Sequence, residues 1–175
     1  NSKNESGDSV SIIIAIRNGE KSLPRLINFL INQDYKGSME FILVDDESTD
    51  KTKKIIQNIE TKDDRFKYLS SKQSDQGLKF KKKALYVGIQ GSQNSILLFT
   101  DVDCRLTPGW VSSMVSCFND KTVDYVVGFS RAKHIYGLAN LFQRIDFLIL
   151  MFSSAATCEI KYPLACSGQN QAYRK

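Results

Sequence analysis

The sequence predicts an α/β fold, built as a mostly parallel, doubly wound sheet, and three observations carry that expectation. Short β-branched apolar runs alternate with stretches whose apolar residues recur at helical spacing, as successive βα units require. The runs are continuous rather than alternating, which marks strands covered on both faces. Two of them drive straight into paired carboxylates, Asp45-Asp46 and Asp101-Val102-Asp103. In open α/β sheets the carboxyl ends of the strands are where ligands bind.

Residues 1–9 are polar and read as a frayed lead-in. Val10 to Ile16 is the first strand by its β-branched content, broken by Arg17-Asn18-Gly19. Ser22 is the expected N-cap of a helix with Pro24 in its first turn and Leu23, Leu26, Ile27 and Leu30 on its inner face. Met39 to Val44 is a second strand. Ser48 or Thr49 is expected to cap the next helix, whose inner stripe is Thr52, Ile55, Ile56 and Ile59. Phe66 to Leu69 is a third strand, Ser70 to Gly77 a polar loop, and Leu78 to Gln90 a basic helix. Ser95 to Thr100 is the central strand. If it continued, Asp101 and Asp103 would leave the same face. Thr107-Pro108 starts another helix, with Val111, Met114, Val115 and Phe118 turned inward, and Val123 to Phe129 is a further strand. From Gly137 a long apolar stripe begins at Leu138, Leu141, Phe142, Ile145, Leu148, Ile149 and Phe152, interrupted by Arg144 and Asp146. It is too short to span a bilayer. Packing into the core is the expected use of this helix, with contact to a membrane surface or lipid-like acceptor through 138–152 as the alternative.

Composition narrows the class. The 175 residues suffice for one domain, and 42% hydrophobic with 25% charged residues excludes wholesale disorder. A net charge of +5 suits a phosphate-bearing ligand or an anionic surface. Cys104, Cys117, Cys158 and Cys166 show no CxxC spacing and are expected to be reduced and mostly buried, which favours the cytoplasm. The single histidine, His134, leaves a His-rich zinc site without ligands and a Ser-His-Asp triad unsupported. No Walker loop or GxGxxG is present. The Lys79-Phe80-Lys81-Lys82-Lys83 run reads as a solvated helix face rather than a nucleic-acid surface. The first residue is not Met and Tyr173-Arg174-Lys175 does not read as a domain end, so a piece of a longer protein is expected.

Four clusters should converge on one crevice: Ile16-Arg17-Asn18, Asp45-Asp46, the lysines near Lys81, and Asp101-Val102-Asp103. Two carboxylates held close repel, and a divalent cation completed by phosphate oxygens relieves the repulsion. Asp45-Asp46 could instead serve a helix N-terminus. Trp110, fixed at a first turn by Pro108 and Gly109, is expected in the core rather than at a sugar site.

Taken in order, Val10-Ser11-Ile12-Ile13-Ile14-Ala15-Ile16-Arg17-Asn18, Phe41-Ile42-Leu43-Val44-Asp45-Asp46-Glu47-Ser48-Thr49-Asp50, Lys81-Lys82-Lys83-Ala84-Leu85-Tyr86-Val87-Gly88-Ile89 and Leu98-Phe99-Thr100-Asp101-Val102-Asp103-Cys104 resemble the family-2 glycosyltransferases of the GT-A, Rossmann-like fold. The resemblance covers roughly the first two thirds of the chain, and Ser167-Gly168-Gln169-Asn170 resembles the family's acceptor-side segment. It implies an inverting transferase using a nucleotide-sugar donor, UDP-sugar favoured over GDP-sugar, with Mg²⁺ or Mn²⁺ and a saccharide or lipid-linked acceptor. Ala15, Arg17 and Asp46 would contact the nucleoside with Asp45 beside them. Lys81 would approach the donor, Asp101 and Val102 would lie at the ribose or metal, and Asp103 would hold the cation. Gly168, Gln169 and Asn170 would face the acceptor, within a region beginning at 130–175. The family's acidic base pair has no counterpart here, and neither Asp146 nor Glu159 has its motif context, so the resemblance implies a donor-binding piece without the base. A location in the cytoplasm, at the inner face of a membrane, is expected.

Two rivals come from other classes. A receiver-type signalling module needs its acidic pair after the first strand, which here ends in Ile16-Arg17-Asn18. A non-catalytic docking domain would use the basic helix and the 138–152 stripe to hold a partner or membrane.

Overall fold

The computed structural model describes residues 7–73, 77–131, 137–159 and 168–175. Its frame is a six-stranded mixed sheet of β1 (Val10–Ile16), β2 (Met39–Asp45), β3 (Phe66–Ser70), β4 (Ile96–Thr100), β5 (Tyr125–Val127) and β6 (Asn170–Arg174), ordered β3-β2-β1-β4-β6-β5. The first four strands are parallel, with Ile12 opposite both Phe41 and Leu98. β6 enters antiparallel between β4 and β5, pairing Thr100 with Asn170 and Val127 with Gln171. The chain therefore departs from β1 in both directions, and the β1/β4 boundary is the switch point at which such sheets open a crevice.

Alternation along the strands divides two cores. Ile12, Ile14 and Ile16 face α1 (Leu23–Ile31), α2 (Thr52–Glu60) and α4 (Trp110–Ser116), meeting Leu26, Leu30, Ile56, Val111 and Phe118. Ile13, with Ile42, Val44, Leu97 and Phe99, faces α3 (Lys81–Gly91) through Ala84 and Val87. Gly88 permits that approach, since a Cβ there would come within 2.4 Å of Ile13 Cγ2.

Several boundaries move for physical reasons. Ser22 precedes α1 but makes no side-chain cap. The cap of α2 comes from Asp50, whose Oδ1 accepts from Thr52 N at 2.9 Å, and not from Ser48 or Thr49. α3 starts at Lys81 rather than Leu78, because Gly77 (φ 68°) and Phe80 (φ 55°) both break helical geometry before it. α4 starts at Trp110, with Gln33 from the end of α1 accepting from Val111 N at 3.0 Å and donating to the Thr107 carbonyl at 2.9 Å. β4 ends at Thr100, so Asp101 and Asp103 lie in a turn and not in a continuing strand.

The helix after Gly137, α5 (Leu138–Glu159), corrects the expectation of core packing. Met151 and Ser154 are buried, while Leu141, Phe142, Ile145, Ile149, Leu150 and Phe152 stay exposed. Among the described residues no helix is long and apolar enough to cross a membrane. The cysteine expectation is corrected as well: Cys104 is half-buried and Cys117 exposed, both with free thiols. His134, Cys166, Ser167 and the Cys158 side chain lie outside the described residues.

At the amino-terminal edge of the sheet, Glu40 is 7% exposed yet charged. Its Oε1 accepts from Ser11 Oγ at 2.5 Å and Gln93 N at 2.7 Å, and its Oε2 pairs with Lys67 Nζ at 2.6 Å. This network locks the starts of β1, β2 and β3 to the turn before β4.

Candidate functional site

The carboxyl edge gathers the four predicted clusters. The loops after β1 and β2 are sewn together. Asn18, with φ 52°, donates its backbone N–H to Ser48 Oγ at 2.9 Å, and its Oδ1 accepts from Thr49 N at 2.8 Å. Gly19 N reaches Thr52 Oγ1 at 2.8 Å, and Glu20 N reaches Asp50 Oδ2 at 3.0 Å. Asp46 N donates to the Ile16 carbonyl at 2.8 Å, extending the β1–β2 ladder by one step.

Asp45 and Asp46 are 5% and 7% exposed. Asp45 Oδ1 accepts from Ser48 N at 3.1 Å and so shapes its own turn. Burial pushes the neighbouring Tyr68 phenol above its usual range, and the Asp45 carboxylate adds to the shift. α2 begins at Thr52 and is served by Asp50, so neither Asp45 nor Asp46 is spent on the helix end. Hydrogen bonds from Thr52 and the Glu20 N–H hold the Asp50 carboxyl below its ordinary pKa, outweighing the upward pull of desolvation.

The Asp101–Asp103 turn is fixed from several sides. Cys104 N closes it on the Asp101 carbonyl at 3.1 Å, and Arg25 of α1 donates to the Asp103 carbonyl at 3.3 Å. Val102 packs over Gly19, where a Cβ would come within 3.1 Å of Val102 Cγ2. Lys81, the first residue of α3, places Nζ 2.5 Å from Asp101 Oδ1. Asp103 is left exposed, and among the described residues its carboxylate has no ion pair. Burial pushes the Cys104 thiol up, and the Asp101 and Asp103 carboxylates add to this, so it stays protonated beside them.

Among the described residues no three His, Cys, Asp or Glu side chains converge to hold a metal. The pair fits a cation that arrives with its ligand. Mg²⁺ and Mn²⁺ favour oxygen ligands, and such sites commonly use one or two carboxylates completed by phosphate oxygens and water.

β6 brings Asn170 opposite Thr100, one residue from Asp101, with Gly168 and Gln169 in the turn that precedes it. Asn170 is already engaged. Its Oδ1 accepts from Trp110 Nε1 at 2.9 Å, its Nδ2 donates to the Phe129 carbonyl at 3.3 Å, and Gly128 leaves it room. Trp110 is buried, as its place at a first turn predicts. Asn170→Ala is expected to cost about 1–3 kcal/mol by leaving a buried indole N–H unpaired, read as a lower urea midpoint with red-shifted Trp110 emission.

Sequence reasoning missed Arg25, Gly19 and the Asn18–Ser48–Thr49 stitching. A glycine directly after the strand-breaking Arg17-Asn18 was the one available signal for a close approach. A cleft of about 610 Å³ opens at the opposite edge, lined by Asp8, Asp34, Tyr35, Ser112 and Lys121. None of the crevice carboxylates lines it, so volume alone would point away from the converging acidic groups.

Known proteins resemble this chain in sequence and in fold. A β-1,3-glucosyltransferase from Campylobacter jejuni, named for its action on GalNAc(5)-diNAcBac-PP-undecaprenol, is 32% identical over 111 residues, 63% of this chain and 35% of that protein. Glycosyltransferase AglE of Haloferax volcanii is 32% identical over 120 residues, 68% of this chain and 38% of that protein. The chain thus spans about a third of the length of these relatives. Among solved structures, a mannosyltransferase from Pyrobaculum calidifontis in complex with GDP-Man and Mn²⁺ superposes with a TM-score of 0.69 at 17% identity, over 97% of this chain and 45% of that one. Glucosyl-3-phosphoglycerate synthase from Mycobacterium tuberculosis, in complex with UDP, gives 0.65 at 20% identity, over 96% and 57%. The family model described as glycosyl transferase family 2 matches residues 11–171. That span runs from β1 into β6 and encloses every crevice residue, and the chain belongs to glycosyl transferase family 2.

Proposed function

We propose that this chain is the donor-binding domain of a metal-assisted, inverting glycosyltransferase that takes a UDP-sugar in preference to a GDP-sugar. The observation that carries the reading is that Asp45-Asp46, the Lys81–Asp101 pair and the exposed Asp103 all follow strand ends on the same carboxyl edge, beside the switch point. Asp46, with Asp45, Ala15 and Arg17, reads the nucleoside, a carboxylate accepting from a uracil N–H. Asp101 and Val102 lie against the ribose. Asp103, with Asp101, holds Mg²⁺ or Mn²⁺ on the diphosphate. Lys81 is placed to exchange Asp101 for a phosphate oxygen. The cation, when bound, neutralises charge on the departing nucleoside diphosphate.

In the transfer, an acceptor hydroxyl oxygen forms a bond to the anomeric carbon from the face opposite the diphosphate. The anomeric carbon–oxygen bond to phosphate breaks, and the hydroxyl proton passes to a carboxylate base. Gly168 and Gln169 flank that face, with Asn170 acting through Trp110 and Phe129. The reading assigns no base among the described residues.

A lipid-linked acceptor and contact with a cytoplasmic membrane face form the outer part of the reading. The exposed Leu141, Phe142, Ile145, Ile149 and Phe152 support it. So do relatives whose names carry undecaprenol and diacylglycerol. Phe142→Glu with Ile149→Glu is expected to abolish flotation with anionic liposomes, and undiminished flotation would remove the membrane from the proposal. The donor site itself is tested by calorimetric titration of UDP and GDP, each with and without Mn²⁺. Manganese-dependent UDP binding is expected, weaker for GDP. No binding of either nucleotide would overturn the reading.

A further inference from the structure

Of the four lysines in the Lys79-Phe80-Lys81-Lys82-Lys83 run, only Lys81 makes an ion pair among the described residues, its Nζ 2.5 Å from Asp101 Oδ1. Both sides of that pair are fixed. Ala84 and Val87 anchor α3 in the core, and Gly88 fits against Ile13 and Val44. The Phe80 carbonyl accepts from Lys83 N at 2.9 Å and Ala84 N at 3.3 Å, which sets the first turn of the helix. Opposite it, Cys104 N and Arg25 hold the Asp101–Asp103 turn through carbonyl oxygens, so neither carboxylate is spent on the turn itself. The packing of α3 therefore stations an ammonium at the acidic turn.

That placement bears on the order in which ligands arrive. Asp101, Asp103 and Lys81 together carry one net negative charge. A divalent cation arriving alone meets one carboxylate that is already compensated, and beside it an ammonium that repels it. A nucleoside diphosphate changes both conditions. Its oxygens complete the shell of the cation and offer the ammonium a second anionic partner. The Lys81 side chain is 49% exposed and that of Asp101 30%. Ion pairs so open to solvent are worth little, and this one yields to a diphosphate at small cost.

We propose that Lys81 makes cation binding conditional on the nucleotide: its pair with Asp101 keeps a free divalent cation off the turn, and the diphosphate opens the pair and admits the cation. The inference rests on the donor-site reading above and adds to it an order, nucleotide before or together with metal. Coupling between two ligands is reciprocal, so the same lysine sets how strongly Mn²⁺ improves the binding of UDP.

The test removes the charge and follows Mn²⁺ alone, through loss of the free-ion paramagnetic resonance signal. Lys81→Met keeps the reach of the side chain without its charge, and is expected to bind Mn²⁺ alone about 10-fold tighter than the unaltered chain. A gain of affinity is a result that damage to the fold does not produce. Lys81→Arg keeps the charge and should match the unaltered chain. In Lys81→Met the factor by which Mn²⁺ improves UDP binding should shrink, again about 10-fold. Equal Mn²⁺ affinity in Lys81→Met and the unaltered chain overturns the inference, and manganese-dependent UDP binding by the unaltered chain would then leave the donor site standing. A gain in Lys81→Arg as large as in Lys81→Met also overturns it, because the charge would not be what excludes the cation. Failure of the unaltered chain to bind UDP removes the donor site, and this inference with it.

Discussion

Asp103→Ala is expected to remove manganese-dependent UDP binding, with a loss of affinity on the order of 100-fold or more, beyond what even outer partners of metal ligands contribute. The asymmetry of the turn gives the reason. Lys81 already compensates Asp101 at 2.5 Å, so the exposed Asp103, without an ion pair among the described residues, would supply the charge that meets the proposed cation. The turn is held through the Asp103 carbonyl by Arg25 and through the Cys104 N–H, and neither contact uses the Asp103 carboxylate. The variant should therefore keep its unfolding midpoint while UDP titrations with and without Mn²⁺ become indistinguishable. A manganese-dependent gain surviving in Asp103→Ala would take the cation away from this residue. Asp101→Ala should lose less, because it also releases Lys81 to meet the diphosphate.

Glu40→Ala is expected to cost about 3 kcal/mol of stability, the low end for breaking a buried charge pair, because solvent reaches Lys67. Ser11, Gln93 N and Lys67 would all lose their acceptor at once. Glu40 also sets an acid limit. Desolvation alone would raise its pKa, but the hydrogen bonds from Lys67, Ser11 and the Gln93 N–H outweigh it and hold the carboxyl below its ordinary value. The folded pKa is thus depressed relative to the unfolded chain. The stability that ionised Glu40 contributes is fully present above the unfolded value of about 4.3 and is lost as pH falls through the folded one. Urea unfolding at pH 7 and near pH 3 should show that Glu40→Gln narrows the difference between the two conditions. An unchanged difference would place the acid sensitivity elsewhere, for example in Asp63, whose carboxyl Arg65 holds low.

The parallel half of the sheet was legible because its strands are continuous apolar runs. β1 falls on Val10–Ile16 as periodicity demands, and the helices against it show their buried residues at the expected spacing. The gathering of the acidic and basic clusters at one edge was legible for a topological reason: residues after parallel strands share one edge whatever their sequence separation. What sequence could not convey was side-chain traffic between distant segments. Gln33 capping α4, Asp50 displacing Ser48 and Thr49 as the cap of α2, and Asn170 committed to Trp110 all depend on which polar atoms meet after folding. The α5 reading failed because an apolar stripe records only the preference for leaving water, not which surface satisfies it.

The insertion of β6 between β4 and β5 has a consequence for how the molecule assembles. Among the described residues β5 pairs only with β6, and β4 presents an unpaired edge until Asn170–Arg174 arrives. Emerging from a ribosome, the chain must carry that open apolar edge from Thr100 to Asn170, an interval on the order of seconds at ordinary elongation rates. Pairing across so long a loop is slow, because closure entropy is spent before the ladder returns anything. β6, beside the Asp101–Asp103 turn, thus staples β5 to the rest of the sheet. The edge of β4 beside the Asp101–Asp103 turn is therefore completed only when Asn170–Arg174 pairs with it.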